Sequence, residues 1–565
     1  MTRHILWQAL LAVLGIVLVF VILVQLASTV SPQVEMVEVP AEGGTYIEGL
    51  LGYVDTINPI LTPSFIQANP VEQDLTALVF DGLLDIDQSG QILPALATDW
   101  QVSEDGSVYK FHLRDDVTWH DGASFTAADV AFTVQAMQDP NYQGPEALRE
   151  LWQNVTVEVV DSHTVRFTLH EPFPSFLYYA TIGILPAHLL STVPAADLPE
   201  HEFSKQKPVG TSMFQVESMA PDRVVLKAYP GYWRQMPLLD KVEFWLFGSE
   251  EDLLAAYEAG EIQGFHPEHP GEILALARFP NLQLYSAPAT GYGAIILNLA
   301  KEDLPFLQEK EVRQALLYGL DRQVLIDQLM DGQALVAHSP IPPFLWAYDP
   351  TVRQYSYDPE RAIGLLDASG WLDSNGDRIR DKEGVDLVFT LAVSDDPTAV
   401  QWAQEIARQW EAIGVDASIR STTSKAVATL VRRRNFDAAL IDIATTADPD
   451  PYPLWHSTQV GEGGQNFSGF ANEDADVVME EIRTTPDPER LVELYHTFQQ
   501  IFAEEVPALL LYQPVYVYAL DEQVHQVQLS PMVYTSQRFR NVADWYMLTE
   551  EIEASAGDTL DKNGE

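Results

Sequence analysis

His120 and Asp121 stand side by side in "TWHDG" (118–122), an imidazole next to a carboxylate, which is the pairing that general-base catalysis uses. A second constellation lies in "DSNGDRIRDKEG" (373–384), where Asp373, Asn375, Asp377 and Asp381 fall at positions 1, 3, 5 and 9 of a calcium loop. Position 6 is Arg378 where glycine is expected, and position 12 is Gly384 rather than glutamate. A plain Asx-rich turn therefore competes with a structural calcium ion, and no other cofactor is required. "FHPEHP" (265–270) sets His266 and His269 three apart, but Pro267 and Pro270 prevent a helix from presenting both to one metal, so it reads as a surface loop. No "GxxxxGK", "GxSxG" or "HExxH" occurs, and "GYGAII" (291–296) lacks the third glycine of a dinucleotide fingerprint. With 82 acidic residues, carboxylate pairs arise by chance throughout, so no catalytic dyad stands out.

These residues sit in a chain of 565 residues, room for several lobes, with 47% hydrophobic and 10% aromatic content. That is enough apolar surface for large cores. Thirty-two basic against 82 acidic residues give a net charge of −50, a sign that repels phosphate backbones and excludes nucleic acid as a partner. There is no cysteine, which removes disulfides, thiol chemistry and any lipid anchor on an N-terminal Cys.

Residues 5–27, "ILWQALLAVLGIVLVFVILVQLA", are long and apolar enough to span a bilayer of about 30 Å at ~1.5 Å per residue. Arg3 and His4 before the run and Glu35, Glu38 and Glu42 after it place the bulk outside the cytoplasm. The run is longer than a signal-peptide core and "LASTVS" is a poor cleavage site, so an uncleaved single-pass anchor in the cell membrane is expected. The predicted organisation is a cytoplasmic tip and anchor (1–30), a linker (31–42), a first lobe with an extra subdomain (43–289), a second lobe (290–508), a return to the first lobe (509–549) and a mobile acidic tail (550–565). "VYKFHL", "VTVEVV", "TVRFTL", "FQVESM", "RVVLKAY" and "VEFWLF" read as strands, and from about residue 290 strands alternate with amphipathic helices, which predicts a largely parallel sheet.

The block "ILPALATDWQVSEDGSVYKFHLRDDVTWHDGASFTAADVAFTVQAM" (92–137) resembles the signature of the extracytoplasmic solute-binding proteins of the peptide/nickel type, family 5. "GTSMFQVES", "EVRQALLYGLDRQVLI", "YDPERAIGLLDASGW", "DPDPYPLW" and "NFSGFANEDADVVMEE" follow in the family's order, and the resemblance covers roughly residues 43–548. It implies an α/β, two-lobed, type II periplasmic-binding-protein-like fold with an extra subdomain. The crossovers should lie near "SAPATGYGAIILN" and "ALLLYQPVYV". The implied role is a tethered, monomeric, non-enzymatic receptor that encloses a solute and hands it to the permease of an ABC importer. An oligopeptide is the leading solute, an oligosaccharide or nickel-type solute the alternative, and a secreted hydrolase using the cleft the reading from another class.

In peptide-binding members an Asp receives the ligand amine and an Arg clamps its carboxylate. By family position these fall at Thr445 and within "VSDD" (393–396), so neither charge is present. The ligand-binding residues that the resemblance implies are Tyr53, Asn58, Thr211, Ser212, Tyr292, Asn298, Thr445, Asp448, Asp450, Trp455, Asn466 and Phe467. In its surroundings "TWHDG" becomes a turn made by Asp121-Gly122 before a helix that Thr126 and Asp129 cap, with Trp119 as the core anchor.

Overall fold

The computed structural model describes residues 2–29, 36–63, 69–267 and 270–553. Its organising element is the strand Ala508–Asp521, 14 residues long and buried along most of its length. Its first half pairs with Tyr292–Leu297, and its second half pairs with Leu282–Pro288 and Gly264–Phe265. One strand thus runs through two lobes. The chain crosses between them at Pro288 to Tyr292 and again at Tyr512 to Tyr516, where Pro514 interrupts the amide ladder.

In the second lobe the strand Tyr292–Leu297 is buried at all six positions, alternate side chains entering different cores. Ile295 and Leu297 join the core with Phe389 and Trp410, whereas Tyr292, Ala294 and Ile296 join the core with Trp455 and Phe502. Helices cover both faces, which is why the strand reads as an unbroken apolar run. The sheet differs from the parallel one that the alternation predicts. Val388–Ser394 is parallel to Asp416–Thr422 and to Ala438–Ile443, but Tyr292–Leu297 is antiparallel to both its neighbours. The strands that carry the chain into and out of the lobe run opposite ways, and helical periodicity elsewhere says nothing of that direction.

In the first lobe Thr45–Leu51 lies parallel to Lys241–Phe247, which continues into the antiparallel pair Arg223–Ala228 and Phe214–Ala220. The extra subdomain is a four-stranded antiparallel sheet made by Ala97–Val102, Val108–Leu113, Thr164–Leu169 and Val155–Asp161, packed against the helix Ala127–Gln138. Two boundary expectations change. Met36–Ala41, inside the expected linker, pairs antiparallel with Leu548–Glu553, which includes the first residues of the expected tail. Backbone pairing overrides the polar, acidic composition that suggested tethers; residues 30–35 and 554–565 lie outside the described residues.

Thr2–Thr29 is one helix, in which the side chains of Leu10–Ile22 are exposed. Several side chains of the span expected at 5–27 lie outside the described residues; among those described, no helix is long and apolar enough to cross a membrane.

A buried charge network closes the first lobe. Arg538 donates to Glu48 Oε1 from Nε (3.0 Å) and NH2 (2.7 Å), and to Asp74 Oδ2 (2.6 Å). The Tyr518 hydroxyl donates to Glu48 Oε2 at 2.6 Å. The strand Thr45–Leu51, the helix Pro70–Val79 and the returning segment are thereby locked together through side chains that are almost fully buried. Burial pushes the Glu48 carboxyl up, and Arg538 is the chief opposing influence. Arg538→Met is expected to destabilise the protein by about 3–5 kcal/mol in urea unfolding, because two buried carboxylates lose their counter-charge. A loss below about 1 kcal/mol would show that the network does not hold the lobe.

Candidate functional site

His120 is fixed before any ligand is considered. Its ring Nδ1 accepts the Gly210 N–H at 3.1 Å and its Nε2 donates to the Ser212 carbonyl at 2.9 Å, so both ring nitrogens are committed to backbone. Asp121 turns away to His188, at 2.8 Å. Thr126 N–H donates to Asp129 at 2.8 Å and starts the following helix. The suspected acid/base pair is a clasp between the turn and the strand entry at 210–212. Burial lowers the His120 pKa to about 4.

The lobes meet through contacts from opposite sides of the hinge. Trp346 N–H donates to the Ser89 carbonyl and its indole N–H to the Tyr178 hydroxyl, both at 2.9 Å, while Tyr178 donates to the Gly90 carbonyl at 3.1 Å. Gly90 has φ +77°, and a Cβ there would stand 2.8 Å from Leu345, so this close approach of the lobes needs glycine. The Tyr534 phenol faces the Ala447 backbone, and the Ser175 hydroxyl faces the Asp448 carboxyl, across the same seam.

Beside the seam is a cavity of about 170 Å³ in the second lobe. It brings together Tyr292, Thr445, Asp448, Asp450 and Trp455, five of the expected site residues, against walls that include Ile341, Leu345 and Leu454. Thr445 Oγ1 accepts the Gly291 N–H at 2.9 Å and so leaves its own proton to donate. Asp450 Oδ2 takes Arg483 Nε (2.9 Å) and NH2 (2.7 Å), and its Oδ1 accepts the Tyr452 N–H at 3.0 Å. Asp448 Oδ1 accepts the Asp450 N–H at 3.1 Å. Burial first, and the Asp450 charge second, hold the Asp448 carboxyl above the usual carboxylate range. Asp448 nevertheless keeps some exposed surface.

A larger cavity of about 290 Å³ lies in the first lobe, lined among others by Asp81, Ser212, Tyr232, Arg234 and Tyr534. Thr211 stands behind it, its hydroxyl donating to Asp81 at 3.2 Å. Since Tyr534 touches Ala447, the two cavities flank one inter-lobe contact.

Other expected residues have structural work instead. Asn58 is buried, donating to Ser204 Oγ (2.9 Å) and accepting the Ile60 N–H (3.1 Å). Asn298 donates to the Arg434 and Phe436 carbonyls, and Asn466 to those of Trp455, His456 and Phe470. Phe467 lies beside Arg434, whose guanidinium is 6.0 Å from its ring, and Tyr53 is 68% exposed; neither lines the two cavities. In the Asp-rich loop, Asp373 accepts the Gly376 and Arg378 N–H groups, Asn375 the Asp377 N–H, Asp377 the Ile379 N–H, and Asp381 the Ser374 N–H and hydroxyl. The turn is built from its own hydrogen bonds. No group of three or more His, Asp or Glu arranged to hold a metal occurs among the described residues. His266 is no free surface residue: it bonds the Val517 carbonyl at 2.7 Å and stacks on Tyr516, and His269 lies outside the described residues.

The seam residues Ser175, Tyr178 and Trp346 were not expected. Trp346 lies in "SPIPPFLWAYDP" (339–350), a proline-rich stretch with aromatics, but nothing in that pattern names its partner Tyr178.

A cleft between two α/β lobes, crossed by two strands and lined with polar groups at their junction, defines a two-lobed solute-binding protein. Residues 91–465 match the family described as bacterial extracellular solute-binding proteins, family 5, and the chain belongs to that family. It is 28% identical over 517 residues to the oligopeptide-binding protein AppA of Bacillus subtilis, covering 90% of this chain and 92% of the relative. It is 30% identical over 494 residues to di/tripeptide-binding protein 1 of Pseudomonas aeruginosa, covering 80% and 86%. The solved structure of AppA with a nonapeptide superposes with a TM-score of 0.66 at 26% identity, covering 90% of this chain and 100% of that one. NikZ of Campylobacter jejuni with Ni(L-His) superposes at 0.69 and 26%, covering 89% and 99%. The chain is therefore an extracytoplasmic solute-binding receptor of an ABC importer and not an enzyme, which removes the hydrolase reading.

His120→Ala should lower stability by about 1–3 kcal/mol through two lost buried hydrogen bonds while leaving solute binding intact. Below pH 6.5 the unfolded chain protonates this imidazole, whereas the folded chain resists until about pH 4. Wild-type stability thus falls with pH across that window by up to about 1.4 kcal/mol per pH unit on this account, and the variant should lose that slope. Urea unfolding at several pH values checks it; a fully stable variant with no binding would contradict it.

Proposed function

We propose that this receptor is held at the membrane by its N-terminal helix and captures short peptides, closing its lobes around them for delivery to a permease. The observation that carries the solute class is the inter-lobe seam with a cavity on each side, which suits an extended chain better than a compact ion. The names of the relatives point the same way, although NikZ is described with a nickel complex. In favour of the tether, Leu10–Ile22 exposes only apolar residues on all sides of a helix, a surface that water does not tolerate. A tethered receptor stays concentrated near its permease.

Mass spectrometry of the small molecules that denaturation releases from purified full-length protein should recover peptides. Recovery of sugars or metal complexes alone would overturn the peptide assignment. Alkaline carbonate washing of membranes from expressing cells should leave the protein in the pellet, and its release would remove the tether.

A further inference from the structure

Among the described residues three arginines are buried, and two of them have carboxylates beside them. Arg538 meets Glu48 and Asp74, and Arg313 meets Glu505. Arg322, on the helix Arg322–Leu329 of the second lobe, has no acidic partner among the described residues. Its NH1 donates to the Ala337 carbonyl at 2.6 Å and to the Leu510 carbonyl at 2.8 Å, and its NH2 donates to the Tyr355 carbonyl. A guanidinium carries five N–H donors, so one on Nε and one on NH2 are left without a partner among the described residues. Burial pulls Arg322 down to about 10, which leaves it charged at neutral pH. A buried cation faced only by carbonyl dipoles is costly.

Arg322 lines a cavity of about 20 Å³ together with His338 and the apolar side chains of Leu317, Phe502, Val506 and Leu510. The His338 Nδ1 is buried and has no hydrogen-bond partner. Burial and the nearby Arg322 charge lower the His338 pKa to about 4, so the ring is neutral and its Nδ1 can hold the proton and donate it. Tyr355, also at the wall, gives its own proton to the Ala503 carbonyl at 2.7 Å. A space of this size admits one particle about as large as a water molecule and excludes phosphate or any organic anion. A halide accepts from every free donor here and brings the missing charge, which a water does not.

We propose that a chloride ion binds in this cavity between Arg322 and His338 and braces the root of the segment 337–350. Arg322 NH1 joins Ala337, where that segment begins, to Leu510 on the strand shared by both lobes. The segment goes on to supply Ile341 and Leu345 to the solute cavity and Trp346 to the seam. An ion that fixes Arg322 and His338 together therefore steadies the base from which those three residues extend. Arg322 and His338 line neither of the larger cavities, so the site stands whichever solute the receptor takes. The net charge of −50 opposes anion entry from afar, but salt screens exposed charges beyond ~8 Å, and the charge at the cavity is that of Arg322.

The test is thermal unfolding of the full-length protein without solute, as chloride replaces gluconate at constant ionic strength. Gluconate is too large for the cavity. Tm should rise by about 1–3 °C for each tenfold increase in chloride above half-saturation, with bromide acting likewise. Arg322→Gln, which keeps a hydrogen-bonding side chain without the charge, should lose this response. Crystals soaked in bromide should show its anomalous signal beside Arg322, and hydrogen exchange of the 337–350 amides should slow in chloride. Equal Tm in chloride and gluconate, or no bromide signal beside Arg322, would overturn the site and leave water as its occupant. The same chloride response in Arg322→Gln would mark a general salt effect and overturn it as well. Exchange that chloride does not slow would remove the bracing role. The wild-type measurements decide even if the variant does not fold.

Discussion

The strand Ala508–Asp521 belongs to both lobes, and that shared membership constrains everything else. A continuous strand cannot let two sheets drift apart, yet Pro514, which offers no amide N–H to the ladder, marks the place where it changes partners and can bend. With Pro288 and Gly291 on the other crossover, the lobes keep fixed partners at the hinge and only their far faces open. Gly291 has φ +97° with a carbonyl 2.9 Å from where a Cβ would stand, so the turn into the second lobe tolerates no side chain. Each lobe is rigid for its own reason. The second lobe has cores on both faces of its sheet, and the first has the Glu48–Arg538–Asp74 network tying its first strand to its last segment.

Rigid lobes on a bendable pair of strands put the chemistry at the seam. Trp346 hydrogen-bonds the Ser89 carbonyl and the Tyr178 hydroxyl across it, and such contacts exist only when the lobes are together. A solute that bridges the lobes adds to these contacts and shifts the population toward the closed form, the state a permease can distinguish. The acidity of the chain has a local counterpart here. The buried guanidiniums of Arg538, Arg313 and Arg322 and the half-buried one of Arg483 are engaged by carboxylates or backbone carbonyls. The cavity is left with an acid rather than a base to meet its ligand.

Much of this was legible in the sequence, and the misses have physical causes. Period-two runs such as "VYKFHL" and "TVRFTL" became the strands Val108–Leu113 and Thr164–Leu169 because one face of each is buried. Tyr292, Thr445, Asp448, Asp450 and Trp455 did converge on one cavity, whereas Asn58, Asn298 and Asn466 tie down loops. An amide that holds a turn and one that holds a ligand are the same residue in a sequence; only the count of hydrogen bonds separates them. Ser175, Tyr178 and Trp346 escaped notice because their meaning lies in a contact between positions 168 residues apart, which no local pattern encodes. The ladder between Met36–Ala41 and Leu548–Glu553 was hidden in the same way, its polar composition imitating a tether.

The central claim is that the lobes close on solute about two crossing strands. The absence of native cysteine allows dyes to be placed at Glu171→Cys in the extra subdomain and Glu462→Cys in the second lobe, both exposed. Resonance energy transfer between them, followed during titration with tri- to pentapeptides, measures the motion directly. Transfer should rise with occupancy and saturate together with the rise in Tm. Transfer that stays constant while peptide binds would contradict the account.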